Sequence, residues 1–311
     1  MRRKLGQRQD GRRLLSPPPP RSIRLVALDI DGTLLTPEGH VSPRTARAIR
    51  AALDRGVLVL LCTGRIYSEG VRQLGEELGL SLPAIVRNGT AIQDLQTGAV
   101  LDRQPIPPGT LERGLDVLLP LGLSPVVEEG PGREDRLFTG PEPDCHPAVF
   151  HFARLWKRFG HLRHLPTARD LYRVEDPNWL GACGTRDTTR AAAGALQQLP
   201  GVEVRWYGDG LGADDPHCTD VSPAGCSKAS ALARFADQHA VALSEAFAIG
   251  DFFNDVEMLQ EVGWGVAMGH APDAVKQAAD AVTLDNAHDG CAVAIERYVL
   301  GWDTKDSRGA G

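Results

Sequence analysis

The stretch that most constrains this chain is 25–35, where the apolar run Leu25-Val26-Ala27-Leu28 leads directly into Asp29-Ile30-Asp31-Gly32-Thr33. A short aliphatic run of this kind fits a strand buried in a parallel sheet. It ends in two carboxylates spaced two apart, followed by a glycine free to turn sharply. If strand geometry persists through them, both acids project to the same side. Open α/β sheets collect ligands beyond the carboxyl ends of their strands. Two acids held together there form a costly arrangement without a cation between them. Taken alone, the stretch reads equally well as a strand followed by an acidic turn, and the remainder of the chain has to decide.

The order of elements supports the sheet. Ser42-Pro43 opens a helix with Ser42 as N-cap, and Ala46, Ile49 and Leu53 supply its buried stripe. Residues 57–62 read as a second buried strand running into Thr63-Gly64-Arg65; a helix over 67–78 and a strand over 84–86, ending in Asn88-Gly89, follow. This β-α-β-α-β order predicts a parallel sheet with right-handed crossovers. Beyond about residue 105 the texture changes. Pro107-Pro108-Gly109 reads as a linker, and Leu111, Leu115 and Leu118 have helical spacing. Helices over 147–159 and 188–199 then mix with strands over 124–127, 179–183 and 202–206, which predicts a separate α+β module with one sheet face exposed. Regular α/β texture resumes near Cys218, with a helix from Lys228 and a strand over 246–249 that enters Gly250-Asp251-Phe252-Phe253-Asn254-Asp255. A strand over 265–268, a helix over 272–279, a strand over 281–284 and a last helix over 290–300 complete the pattern. The expected division is a disordered basic arm at 1–21, a core at 22–105 and 217–301, an inserted module at 106–216 and a tail at 302–311.

Bulk properties exclude several function classes. A length of 311 residues can bury a substantial core, and a formal charge of −6 gives no broad basic surface for nucleic acid. No apolar run approaches the length that spans a membrane. The six cysteines are scattered and contain no C-x-x-C, which favours reduced thiols in a cytoplasmic protein. Cys145-His146, His217-Cys218, His161 and His164 lack the tight ligand pairs of a zinc site. The arginine-rich arm has no apolar segment of the secretory kind, and Pro17-Pro18-Pro19-Pro20 does not suit an amphipathic targeting helix.

The polar residues set aside so far fall at the ends of strands or the start of a helix: Asp29 and Asp31, Thr63, Lys228, and Asp251 with Asp255. Singly each has an ordinary reading, Thr63 and Asp255 as helix N-caps, Arg65 and Lys228 as surface charges. Together they supply a nucleophile, an acid/base, a hydroxyl, a cation and metal-binding acids, the set that phosphoryl transfer requires.

The segments D-I-D-G-T, C-T-G-R, S-K and G-D-F-F-N-D, in that order, resemble motifs I to IV of the haloacid dehalogenase superfamily of phosphatases. R-N-G-T-A-I at 87–92, G-V-A-M-G-H-A at 265–271 and N-A-H-D-G at 286–290 are similar to its Cof-type subfamily, in which a C2 cap is inserted between motifs II and III. The resemblance implies a Rossmann-like α/β core with a parallel sheet and an inserted α+β cap. It implies Asp29 as nucleophile and Asp31 as general acid/base, with Thr63, Gly64, Lys228 and Asn254 binding phosphate. Mg²⁺ would be held by Asp29, the Asp31 backbone carbonyl and Asp251, supported by Asp255 and Arg65. The implied activity is Mg²⁺-dependent hydrolysis of small phosphate monoesters, with a phosphorylated metabolite as partner. A phosphomutase and a catalytically silent phosphometabolite-binding protein are the alternatives. Four positions depart from the family pattern: Phe252 and Ala229 replace small residues or glycine, His270 replaces asparagine and Cys291 replaces valine. Of these, Phe252 has the bulk to narrow the site or to repack against the cap. Arg154, Lys157, Arg158, Arg163, Arg169 and Arg173 make the cap middle basic, either for an anionic substrate or as a solvated face. Cap hinges are expected at 107–109 and 212–216.

Overall fold

The computed structural model describes residues 22–131, 136–150, 161–207 and 217–302. The described residues form two compact units, one within 1–58 and 241–311 and the other within 59–240. The basic arm, nearly all of the tail, the expected hinge at 212–216 and the larger part of the expected helix at 147–159 lie outside the described residues. No described helix is long and apolar enough to cross a membrane.

The first unit opens with β1 (Leu25–Leu28), fully buried as its aliphatic composition requires. The helix Pro43–Asp54 follows as expected, with Pro43 in its first turn and Ser42 Oγ accepting the Thr45 N–H at 3.1 Å. β2 (Leu58–Leu61) begins at the boundary between units, where the Leu58 N–H donates to the Arg24 carbonyl.

In the second unit, a parallel bridge between Cys62 and Ile85 sets β3 (Ala84–Val86) beside the residue that follows β2. The intervening helix is shorter than the 67–78 expected. It spans Val71–Leu78, because Gly70 adopts a left-handed conformation and the Ile66 N–H turns back to the Glu69 carboxylate. β3 then departs from the all-parallel expectation. Arg87, Asn88 and Gly89 take φ of +54, +54 and +93°, reversing the chain into β4 (Ala91–Gln93), which pairs antiparallel with β3 and with β5 (Val100–Arg103).

The α+β module is built on β6 (Ser124–Glu129), β7 (Leu137–Thr139), β8 (Leu162–His164), β9 (Pro177–Gly184), β10 (Val202–Tyr207) and β11 (His217–Pro223). Their order is β10-β11-β9-β6-β7-β8, antiparallel except for β7 with β8. The helices Thr110–Leu118 and Arg186–Leu196 cover one face, packing Leu111, Leu115, Leu118, Ala192 and Leu196 on Val127, Leu180 and Val221. The other face is not simply exposed, because Ala148 and Val149 pack there with Val126, Leu137, Cys183 and Cys218. The last strand of this sheet starts at His217, so the module expected to end at 216 has a strand in 217–223.

The helix Lys228–Gln238 ends the second unit, and the chain returns to the first with β12 (Ala246–Gly250), β13 (Trp264–Ala267) and β14 (Ala281–Val282). These pair in parallel in the order β14-β13-β12-β1. Arg44 makes a two-point ion pair with Glu296, fastening Pro43–Asp54 to the closing helical segment. Strand order therefore brings the carboxyl ends of β1 and β12 together.

Candidate active site

Asp29 leaves the end of β1, and its N–H donates to the Ile249 carbonyl of β12 at 3.2 Å. Asp251 follows β12 directly, and Asp255 sits one turn later, fully buried. One carboxylate oxygen from each of Asp29, Asp251 and Asp255 lies within 4.8 Å of the others. Asp255 Oδ2 accepts the N–H groups of Asp251 and Phe252, both at 3.1 Å, so it fixes the backbone that presents Asp251. Thr33 Oγ1 donates to Asp251 Oδ1 at 3.4 Å, and His270 Nε2 lies 3.3 Å from Asp251 Oδ2. Gly32 makes this approach possible. It holds φ +78°, and a Cβ there would stand 2.2 Å from Asp251 Oδ2. The donors are all hard carboxylate oxygens, which fit a Mg²⁺-type cation and not a thiolate-loving metal. Burial, reinforced by the nearby Asp29 charge, pushes the Cys291 thiol up to about 12 and keeps it neutral beside the cluster. Asp31 is exposed at the surface of the same turn.

A second group of expected residues gathers within 59–240. The Thr63 N–H donates to the Ile85 carbonyl, and its own carbonyl accepts the Asn88 N–H. Thr63 Oγ1 accepts the Arg65 N–H at 3.1 Å, so Thr63 shapes the turn and does not cap a helix. Gly64 lies against Asn88, where a Cβ would stand 2.9 Å from Oδ1. Arg65 spends a guanidinium N–H on the Glu69 carbonyl at 2.8 Å. Gly89 lets this loop touch the start of the helix Lys228–Gln238, since a Cβ there would meet the Ser227 carbonyl oxygen at 2.1 Å. Ser227 and Ser230 cap that helix reciprocally, at 3.2 and 3.0 Å. Lys228 is only 1 % exposed, which excludes its reading as a solvated charge.

Some placements were not legible beforehand. The contacts of Thr33 and His270 with Asp251 join positions 218 and 19 residues apart, and neither residue was singled out as a site residue. Arg87 forms a buried ion pair with Glu128, and Asn178 bridges Glu128 to Thr90. Phe252 is 48 % exposed and meets Phe253 edge to face at 5.1 Å, while Asn254 is half-buried in the same turn. Of the basic residues in the module, Arg173 pairs with Asp170 on the surface, and Arg154, Lys157 and Arg158 lie outside the described residues.

Residues 26–295 match the family model of haloacid dehalogenase-like hydrolases. The chain is 30 % identical over 278 residues to the 5-amino-6-(5-phospho-D-ribitylamino)uracil phosphatase of Bacillus subtilis, covering 89 % of this chain and 96 % of that one. It is 28 % identical to the pyridoxal phosphate phosphatase of Escherichia coli, covering 90 and 100 %. Among solved structures, a haloacid dehalogenase-like hydrolase from Bacteroides thetaiotaomicron superposes with a TM-score of 0.72 at 26 % identity, covering 89 % of this chain and 99 % of that one. The chain belongs to the haloacid dehalogenase-like hydrolases and is a phosphatase of their Cof type, with a parallel-sheet core and an inserted α+β cap.

Proposed function

We propose that this phosphatase hydrolyses small phosphate monoesters, sugar phosphates or phosphorylated cofactors, in two displacements at phosphorus through an aspartyl-phosphate on Asp29. The observation that carries the proposal is the meeting of the Asp29, Asp251 and Asp255 carboxylates at the ends of β1 and β12. The named activities of the relatives, on a phosphoribitylamino-uracil and on pyridoxal phosphate, support the substrate class.

In the first step an Asp29 oxygen bonds to phosphorus as the ester P–O bond breaks, and Asp31 gives its proton to the departing alcohol oxygen. In the second, Asp31 takes a proton from water, the water oxygen bonds to phosphorus, and the Asp29–phosphorus bond breaks to release inorganic phosphate. Asp31 is exposed, as a group exchanging protons with substrate and water needs to be. The Thr63 hydroxyl, the Gly64 N–H and the Asn254 amide donate to phosphoryl oxygens, and Lys228 neutralises their charge. Asp29, Asp251 and the Asp31 backbone carbonyl would hold Mg²⁺, with Asp255 steadying Asp251 and Arg65 steadying the Thr63 turn. When bound, Mg²⁺ supplies positive charge against the phosphoryl oxygens. The inserted module, expected over 106–216, chooses the substrate and excludes water during the reaction.

The test is phosphate release from a panel of phosphorylated metabolites, with Mg²⁺ and with chelator. The native chain turns over several monoesters only with Mg²⁺, and Asp29→Asn lowers turnover by at least about 10³-fold. Full Mg²⁺-dependent turnover by Asp29→Asn would show that Asp29 is not the nucleophile.

A further inference from the structure

The Asp251 carboxylate is approached on both oxygens by side chains from distant parts of the first unit. Thr33 donates to Oδ1 at 3.4 Å and His270 Nε2 faces Oδ2 at 3.3 Å, both long contacts near the limit of hydrogen bonding. An ionised carboxylate only accepts, so the imidazole presents its Nε2–H. The backbone on either side of the ring is fixed. The Gly269 N–H donates to the Leu284 carbonyl at 3.0 Å, and the Ala271 N–H donates to the Met268 carbonyl at 3.1 Å. Rotation of the Asp251 side chain about Cα–Cβ or Cβ–Cγ turns its oxygens away from Asp29. The ring adds to the hydroxyl a second donor, mounted on a tight turn and set on the other oxygen, and the two together oppose that rotation.

We propose that His270 is a positioning residue for the cation site, holding Asp251 in the orientation in which it faces Asp29. The proposal rests on the reading of Asp29 and Asp251 as Mg²⁺ ligands. His270 acts through the carboxylate, in the manner of outer partners that orient metal-binding groups. An aliphatic residue at 270 takes one donor from the Asp251 carboxylate, so what it lowers is cation affinity.

The experiment is calorimetric titration of the full chain with Mg²⁺ in the absence of substrate, comparing the native protein with His270→Ala, His270→Gln and Asp251→Asn. His270→Ala is expected to weaken Mg²⁺ binding by roughly 10- to 100-fold, the usual loss when such a partner is removed. His270→Gln, whose amide reaches close to the position of Nε2, recovers most of that loss, and Asp251→Asn binds more weakly than either. Without metal, His270→Ala unfolds at the same temperature as the native chain. In turnover, it raises the Mg²⁺ concentration needed for half-maximal rate while leaving the rate at saturating Mg²⁺ close to native. Native-like Mg²⁺ affinity in His270→Ala overturns the role of His270 alone, as does a lowered metal-free melting temperature that His270→Gln does not restore. Absence of Mg²⁺ binding by the native chain removes the cation site itself, and this proposal with it.

Discussion

A methyl group on Gly32 would stand 2.2 Å from Asp251 Oδ2, on a residue whose φ of +78° already disfavours any side chain. Gly32→Ala is therefore expected to lose about 1–2 kcal/mol for the left-handed conformation alone. It also displaces Asp251, so a urea melt and a Mg²⁺ titration of the same sample should both move; native values in both would contradict the geometry. Phe252 presents the opposite case. It is half-exposed and its ring rests on Phe253, so Phe252→Ala should stay within about 0.5 kcal/mol of native stability. At this scale the sequence was most legible where chemistry is local. Asp29, Asp31 and Gly32 declare a turn at a strand end by their spacing, and Lys228 stands at the start of an expected helix. The partners of Asp251 were not legible, because Thr33 and His270 reach it only after three parallel strands have been laid side by side.

At the scale of elements, strands and helices with strong periodicity emerged close to their expected limits, and β3 spans the residues foreseen for it. The hairpin after β3 was missed because a three-residue strand carries too little pattern to distinguish from a loop, although Asn88-Gly89 is a turn signal. β11 was missed for a related reason. Its sequence, His-Cys-Thr-Asp-Val-Ser-Pro, is polar yet wholly buried, and only its pairing with β9 and β10 makes it a strand. The loop 87–89 is tied to β6 by the buried Arg87–Glu128 pair, with Asn178 beside it. Removing one partner of such a pair leaves an uncompensated charge, so Arg87→Met should cost about 3–5 kcal/mol in urea unfolding. Replacing both, as Arg87→Met with Glu128→Leu, should recover much of that loss, and equal losses in single and double variants would argue against the pair as the cause.

For the whole molecule, the buried thiols give a pH signature. Burial pushes Cys183 and Cys291 up to about 12, whereas an unfolded thiol ionises near 8.5. Below that unfolded value both states are protonated and the stability is fully present. Above it the unfolded chain releases protons that the folded chain retains, so stability falls by up to about 1.4 kcal/mol per pH unit for each thiol until the folded value is reached. Urea midpoints should therefore drop between about pH 8.5 and 10.5. That drop should lessen in Cys291→Val, and a flat profile would contradict it. The sequence suggested reduced cysteines from their scatter, but could not say that all but Cys145 lie in the interior, since depth is a property of the assembled sheets.

The central claim is that phosphorus passes through Asp29 on its way to water. Each in-line displacement inverts phosphorus, so two in succession restore its configuration and a single attack by water does not. Hydrolysis of a monoester made chiral at phosphorus with oxygen isotopes, in isotopically labelled water, reads this directly. Retention of configuration in the released phosphate is the outcome this account predicts; inversion would contradict it.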